Sequence, residues 1–199
     1  MLDAADTTAL AAALAPWGGL PAADLPPFAA LFTAEDLPRG AALVVPGSGR
    51  HRMALVLSGV LAITYPEADG TQATKAFITP GLIAGSISAV ITGVDPHYGI
   101  TALGRARVLA ADPAAWRALI PTRPAYERLA RLHAEWLLLR KEDRERDFLS
   151  GTAADRWRRL CTEEPELVAQ VPARHLASFL GITPVQLSRI RARERAAPG

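Results

Sequence analysis

The carboxyl-terminal part of the chain contains the segment LASFLGITPVQLSRIR, residues 176–191. The spacing of its apolar residues predicts two short helices joined at Gly181, because glycine accepts the left-handed dihedral angles of a tight turn. Thr183 can cap the second helix, and Pro184 then stands at its first position, where a missing N–H loses no hydrogen bond. Ala177 is small enough to let two steeply crossing helices approach. The segment therefore predicts a helix-turn-helix unit, with an ordinary helical hairpin as the alternative.

The outer face of the second helix carries side chains that suit the major groove of DNA. Arginine can bind guanine through two hydrogen bonds, and glutamine can bind adenine in the same way. From residue 189 to the end the chain has four arginines, one glutamate and no aspartate, although its formal net charge is only +2. A local basic surface matters more for DNA binding than the total charge. The predicted DNA-binding residues are Thr183, Gln186, Ser188, Arg189 and Arg193.

Residues 37–112 have a different character, with short apolar runs separated by turn residues. Of all 199 residues, 50% are hydrophobic and 21% are charged, a balance that supports a buried core and argues against global disorder. Several short strands at nearly regular spacing indicate a β-sandwich or barrel. The predicted strands are 42–45, 53–57, 60–65, 71–78, 98–103 and 107–110, with a hairpin turn at Asp69-Gly70. Residues 1–36 are expected to form short helices.

A long helix is predicted from Tyr126 onward, because neither glycine nor proline occurs before Gly151. It would have about 25 residues and a length of roughly 38 Å, with Thr122 as its N-cap. Residues at 3-4-3 spacing form one apolar face along its first half. We expect this face to be the seam of a two-helix dimer, and packing on the chain's own strands is the alternative. The predicted seam residues are Tyr126, Leu129, His133 and Trp136.

The order of these elements and several short motifs resemble the Crp/Fnr type of transcription regulator. In the carboxyl-terminal half the resemblance lies in Ala153-Ala-Asp-Arg-Trp157, Glu164-Pro-Glu-Leu167, Val171-Pro172 and residues 176–191. In the strand-rich region the motifs resemble the strand and turn signature of a cyclic-nucleotide-binding-type jelly roll. These motifs are Leu57-Ser-Gly-Val60, Asp69-Gly70, Thr79-Pro-Gly81 and Gly85-Ser86. The resemblance implies a DNA-binding transcription regulator rather than an enzyme.

The resemblance implies an α+β fold with three parts. An amino-terminal β jelly roll with flanking helices would cover residues 1–120, and a long dimerisation helix would cover residues 121–149. A helical helix-turn-helix domain without the C-terminal wing would cover residues 150–199. The long helix would pair two subunits into a homodimer that reads a two-fold symmetric site in double-stranded DNA, with half-sites about one helical turn apart. Arg189 matches a family arginine that contacts DNA.

The expected effector pocket departs from the family pattern. A cyclic-nucleotide site of this type uses a glutamate for the ribose hydroxyl and an arginine for the cyclic phosphate. Here Ser86 follows Gly85 where the glutamate belongs, and Pro96-His97 replace the pair that carries the arginine. Because a buried phosphate would lack its charge-assisted partner, cyclic AMP is not expected to bind in the usual manner. The candidate pocket residues are Gly85, Ser86, Ser88 and His97, for a small-molecule effector whose identity and existence the sequence leaves open.

No set of residues in the sequence indicates catalysis, a metal site or a cofactor, and the four histidines are far apart. Cys161 is the only cysteine, which excludes an intrachain disulfide and a cysteine-ligated iron–sulfur cluster and leaves a redox-sensing thiol open. The chain shows neither a signal-peptide pattern nor an apolar stretch of membrane-spanning length, so the protein is expected in the cytoplasm. Two alternative functions remain: a small-molecule sensor, and a protein-interaction module whose helix-turn-helix has lost DNA binding.

Overall fold

The structure, a computed structural model, describes residues 2–49, 52–68 and 70–196. The strands in these ranges are β1 (Phe32–Leu37), β2 (Ala42–Val44), β3 (Met53–Ser58), β4 (Leu61–Pro66), β5 (Gln72–Ile78), β6 (Ile83–Ala84), β7 (Gly99–Ala102) and β8 (Ala106–Ala111). The helices are α1 (Ala4–Leu14), α2 (Leu25–Ala29), α3 (Ile87–Thr92), α4 (Pro113–Leu119), α5 (Pro124–Ser150), α6 (Ala153–Glu163), α7 (Pro165–Gln170), α8 (Ala173–Phe179) and α9 (Pro184–Ala196). Asp69, the first residue of the predicted hairpin turn, lies outside the described residues.

The strands form the two antiparallel sheets of a jelly roll. In the described part of the chain one sheet has the order β1-β8-β3-β6, and the other has the order β2-β7-β4-β5. Alternate side chains of each strand point between the sheets, so Leu61 and Ile63 of β4 lie in one core with Val56 of β3 and Val108 of β8. The α+β fold expected from the sequence, with a jelly roll before the helical carboxyl-terminal part, is confirmed.

Three elements are absent from the sequence-based prediction: β1, β6 and α3. β1 lies at an edge of its sheet and pairs only with β8 in the described ranges. Because one side of an edge strand faces solvent, it can carry Glu35 and Asp36 and shows no alternating apolar pattern. β6 and α3 are only two and six residues long, too short for a periodic signal.

The first turns of α5 pack on the chain's own amino-terminal helices. Tyr126 is fully buried and Leu129 is 2% exposed, in a core that includes Leu10 and Phe28. The Tyr126 hydroxyl donates a hydrogen bond to the carbonyl of Asp24 (2.8 Å). The prediction that Tyr126 and Leu129 form a dimer seam is therefore wrong, because the same chain already covers this face. The alternative, packing within the chain, is the observed arrangement.

His133 and Trp136 continue the same face of α5 and are also turned toward the chain. Both rings pack edge-on against Trp17, with centroid distances of 5.1 and 5.2 Å. Trp17 covers part of this face, but His133 and Trp136 are only half-buried, so their place in a dimer seam stays a prediction.

The beginning of α5 also differs from the prediction. A 3-10 turn (Ile120–Thr122) precedes α5, and the residue before its first turn is Arg123, which makes no side-chain cap. Thr122 is therefore not the N-cap; its hydroxyl instead donates to the carbonyl of Leu119 (2.7 Å). The helix has 27 residues, close to the predicted length.

Helices α6 to α9 share a third core with the outer face of the β2-β7-β4-β5 sheet. α6 begins with a capping box, in which Thr152 and Asp155 each accept a hydrogen bond from the other's backbone N–H. The core joins Trp157 and Leu180 of the helices to Phe77 of β5. Within the described ranges, no helix has the length and apolar character needed to cross a membrane.

Candidate nucleic-acid interface and effector pocket

The turn between α8 and α9 lies where the sequence predicts it. Gly181 has a φ of 70°, in the left-handed region, and its N–H donates to the carbonyl of Ser178 (3.0 Å). The next amide, of Ile182, donates to the carbonyl of Ala177 (3.0 Å). Ala177 and Leu187 are buried between the two helices. This α8–α9 pair is therefore a fixed unit that presents the opposite face of α9 to solvent.

The structure brings the five predicted DNA-binding residues to one exposed surface. In addition, the start of α9 is held by a pair of reciprocal hydrogen bonds between Thr183 and Gln186. The Gln186 side-chain oxygen accepts from the Thr183 N–H (2.8 Å), and the Gln186 N–H donates to the Thr183 hydroxyl (3.2 Å). Bidentate binding of adenine needs both the oxygen and the nitrogen of the amide. In this arrangement only the nitrogen of Gln186 is available to a base. The exposed residues are Thr183, Gln186, Ser188, Arg189 and Arg193.

The arginines of α9 divide into two groups that the sequence cannot separate. The guanidinium of Arg191 lies 4.6 Å from the ring centre of Trp157, and Glu194 accepts a hydrogen bond from Arg158 (2.9 Å). These side chains are turned toward the chain's own helices. Arg189 and Arg193 are exposed, and within the described ranges neither forms an ion pair. Arg195 is exposed as well, and its Nε donates to the backbone carbonyl of Arg191 (3.3 Å). The positive charge that remains available on α9 is therefore carried by Arg189, Arg193 and Arg195.

Val185 is a further residue of this surface that sequence reasoning missed. Its side chain is 60% exposed in the first turn of α9, between Pro184 and Gln186. An exposed apolar side chain in such a position can contact the methyl group of thymine. The sequence could have indicated this exposed position, because Val185 is apolar yet lies outside the spacing of the inner residues Leu187 and Ile190.

The α8–α9 pair is docked on the jelly roll through β5. The Thr74 N–H donates to the Ser178 hydroxyl (2.8 Å), and the Thr74 hydroxyl lies 3.3 Å from Nδ1 of His175. The rings of Phe77 and Phe179 meet at a centroid distance of 5.1 Å. No short-range pattern indicates this contact, because its residues are about a hundred positions apart along the chain.

The candidate effector pocket is only partly assembled as predicted. The Ser86 hydroxyl caps α3 by accepting from the Ala89 N–H (3.2 Å), and it lies 3.0 Å from the Ser88 hydroxyl. Gly85 adjoins them, and its carbonyl accepts a hydrogen bond from Tyr98 (3.2 Å). His97 is exposed, and within the described ranges no hydrogen bond joins it to the other three residues. The structure therefore groups Gly85, Ser86 and Ser88 and leaves His97 outside.

Tyr98, which the sequence-based prediction omitted, adjoins this group through its hydrogen bond to Gly85. Its ring is 8% exposed and belongs to the core between the sheets. Burial raises the pKa of its hydroxyl, so the group stays protonated as a donor. The Lys75 ammonium lies 4.4 Å from the ring centre, and burial together with the charges of Lys141 and Arg144 lowers the pKa of Lys75.

Cys161 does not have the surroundings of a reactive thiol. It lies on α6, half-buried against the third core. Burial is the largest influence on its pKa and raises it, so the thiolate form is disfavoured. The arrangement is that of a packed apolar side chain.

Comparison with known proteins rests on structure, since no protein-family model and no curated protein sequence matches the chain. The regulator CLP of Xanthomonas campestris, described as c-di-GMP responsive, is 18% identical, with a TM-score of 0.70 over 90% of this chain and 96% of CLP. FixK2 of Bradyrhizobium japonicum is 17% identical, with a TM-score of 0.68 over 83% and 85% of the two chains. The catabolite activator protein of Thermus thermophilus is 22% identical, with a TM-score of 0.55 over 91% and 85%. The chain therefore has the fold of the Crp/Fnr-type regulators, a cyclic-nucleotide-binding-type jelly roll followed by a helical carboxyl-terminal domain.

Proposed function

We propose that this protein is a DNA-binding transcription regulator of the Crp/Fnr type, with α9 as the recognition helix of a helix-turn-helix. The observation that carries the proposal is the surface of α9, where Arg189 and Arg193 are exposed and have no acidic partner among the residues that the structure describes. Guanidinium groups that are free of intramolecular ion pairs can bind guanine edges or phosphates. The cytoplasmic location expected from the sequence belongs to this proposal, since the DNA it would bind is there.

The proposed homodimer uses a different face of α5 from the one expected from the sequence. Beyond the half that packs on the amino-terminal helices, α5 exposes Leu138 (57%), Leu139 (59%) and Leu149 (81%). We call these three residues the leucine stripe. Leu138 and Leu149 are eleven positions apart, about three helical turns, and so lie on one side of the helix. Because exposed leucines clustered on one helix favour association, two copies of α5 would pair here and present two recognition helices.

The proposed sensor does not take cyclic AMP in the family's usual manner. The residues that would bind ribose and cyclic phosphate are absent, and the carbonyl of Gly85 already accepts a hydrogen bond from the buried Tyr98. Cyclic AMP and cyclic GMP should therefore give neither heat nor a thermal shift at about millimolar concentration. A saturable signal with either nucleotide would contradict this part of the proposal.

The experiment that tests DNA binding is selection of genomic fragments by the purified protein, followed by titration of a selected duplex. The logarithm of the binding constant should fall linearly with the logarithm of salt concentration, because protein groups that neutralise phosphates release the counterions bound there. Arg189→Ala should weaken binding by about 1–3 kcal/mol, or roughly 5- to 150-fold, and relax specificity at one base pair. Arg117→Ala, on the exposed surface of α4, is the matched control.

Two results would contradict the proposal. If no fragment is retained at low salt, the protein-interaction alternative is favoured instead. If Arg189→Ala and Arg117→Ala bind the selected duplex equally well, Arg189 has no role in recognition.

A further inference from the structure

A cleft lies between the outer face of the jelly roll and the α8–α9 pair. Its volume is about 130 Å³, and both domains contribute to its walls. One wall consists of the turn before β2 together with residues of β4, β5 and β7, and the opposite wall is the beginning of α8. A single buried water requires only about 10–15 Å³ by a comparable measure, so the cleft has room for a group of several heavy atoms.

The charged side chains that line this cleft are all positive. Arg39 lines it from the jelly roll and Arg174 from α8, and no carboxylate belongs to its lining. Within the described ranges neither arginine forms an ion pair. The acidic residues that precede Arg39 in β1 are already engaged, since Glu35 pairs with Arg52 and Asp36 pairs with Arg107. Two unpaired guanidinium groups on opposite walls therefore face a site without a counter-charge.

Hydrogen bonds hold the backbone beside Arg39 and the side chain of Arg174. The turn that carries Arg39 is tied to the sheet by a hydrogen bond from the Gly40 N–H to the carbonyl of Ala102 (2.8 Å). Arg174 donates from Nε to Nε2 of His175 (3.3 Å), and His175 in turn contacts Thr74 of β5. Burial and the charge of Arg174 lower the pKa of His175, so its ring is neutral at pH 7 and can accept this hydrogen bond. The backbone that carries Arg39 and the side chain of Arg174 are therefore positioned before a ligand arrives.

We propose that this cleft binds a small phosphate monoester, or inorganic phosphate, between Arg39 and Arg174. A phosphate monoester has three terminal oxygens and can be held from two sides by guanidinium forks, whereas a carboxylate offers only two oxygens. Thr64, Gln72 and Thr101 supply hydroxyl and amide groups for the remaining hydrogen bonds. The ligand would join the jelly roll to the α8–α9 pair. A role of this ligand as an effector rests on the proposed DNA-binding function. Binding of the ligand to the cleft does not depend on that function.

The test is calorimetry and thermal unfolding of the full chain with inorganic phosphate and with glycerol 3-phosphate, at constant ionic strength. Both should bind saturably and raise the unfolding temperature, and acetate should not. Arg39→Gln and Arg174→Gln should each weaken phosphate binding by at least about tenfold. Arg117→Gln is the matched control, because this exposed arginine lies on α4, outside the cleft.

Three outcomes would overturn the proposal. The first is the absence of saturable phosphate binding up to about 10 mM. The second is equal binding of acetate and phosphate, or an equal loss in Arg117→Gln. The third is a loss of duplex binding without loss of phosphate binding in the Arg39 and Arg174 variants, which would make the cleft part of the DNA interface. Duplex titration of the same proteins without phosphate separates the two proposals, because wild-type protein that binds phosphate but no DNA refutes only the proposed function.

Discussion

Gly181 shows how strongly one backbone position constrains the α8–α9 pair. Its φ of 70° lies in the left-handed region, and an added Cβ would stand 2.8 Å from Cε1 of Phe148 on α5. The glycine is therefore needed both for the turn and for the approach of a neighbouring ring. The sequence predicted the turn, because the need for a left-handed residue is local.

Gly181→Ala is expected to lower the free energy of unfolding by about 1–2 kcal/mol for the left-handed backbone alone. Displacement of Phe148 should add to this loss. Gly93→Ala is the matched control, since Gly93 has a φ of 72° and open space around its Cα. Thermal or denaturant unfolding of both variants measures the difference. Equal losses in the two variants would show that Phe148 moves aside freely.

His133 makes the stability of the protein depend on pH. Its Nε2 is buried and has no hydrogen-bond partner among the residues that the structure describes, and burial lowers the pKa of the ring below the ordinary value. The folded state therefore binds a proton less readily than the unfolded chain. The contribution of His133 to stability is complete above about pH 6.5 and declines as the pH falls below that value.

His133→Phe should flatten the decline of unfolding free energy between about pH 6.5 and pH 5. The aromatic contact with Trp17 can be kept by phenylalanine, and the unpaired nitrogen is removed. Denaturant unfolding across this range measures the effect, with pH 8 as the internal control. Part of the decline should remain, because burial also lowers the pKa of His175. Parallel curves for the variant and the wild type would refute the assignment.

At the scale of the element, α5 is divided into two halves with different surroundings. The first half packs on the amino-terminal helices through Tyr126 and Leu129, whereas the second half exposes the leucine stripe. The periodicity of the first half identified an apolar face correctly, but it could not show what covers that face. A dimer seam and an intrachain contact need the same apolar spacing.

Leu139→Glu is expected to convert a dimer into a monomer, because it places a charge in the proposed seam. Sedimentation or light scattering as a function of concentration measures the state. Ile91→Glu is the matched control, since Ile91 is equally apolar and 63% exposed on α3. If the wild type is monomeric at every concentration, or if both variants dissociate alike, the leucine stripe is not the seam.

At the scale of the whole molecule, the carboxyl-terminal helices are docked on the jelly roll rather than tethered by α5 alone. Phe179 contacts both Phe77 of β5 and the guanidinium of Arg144, which lies 4.2 Å from its ring centre. Arg144 also donates to the carbonyl of Phe179 (3.1 Å). A change in the jelly roll or in α5 can therefore reach the α8–α9 pair through this single ring.

Phe179→Ala should loosen the docking by about 1–3 kcal/mol, the combined size of an aromatic pair and a cation–π contact. Hydrogen exchange of the α8 amides should accelerate, while the amides of β3 and β8 should stay protected. Val185→Ala, at an exposed position of α9, is the matched control. Unchanged exchange in α8 would mean that the remaining contacts, such as the one between Thr74 and Ser178, are sufficient.

Short-range patterns in the sequence predicted six of the eight described strands, the length of α5, the turn at Gly181 and the exposed position of Arg189. Each of these depends on residues within a few positions of one another, through alternation, helical spacing or the φ angle that glycine allows. The edge strand β1 was not predicted, because one of its sides faces solvent and its sequence therefore shows no alternating apolar pattern.

The partners of each surface depended on the tertiary structure. Three of these contacts join residues that are far apart in the chain. Tyr126 is buried under the amino-terminal helices, Tyr98 binds the carbonyl of Gly85, and Arg39 and Arg174 line one cleft. Apolar spacing indicates that a face of an element is covered, and basic residues indicate that a surface is charged. Neither pattern identifies the element or ligand that contacts that surface. That choice follows from the packing of whole elements, which only the folded chain determines.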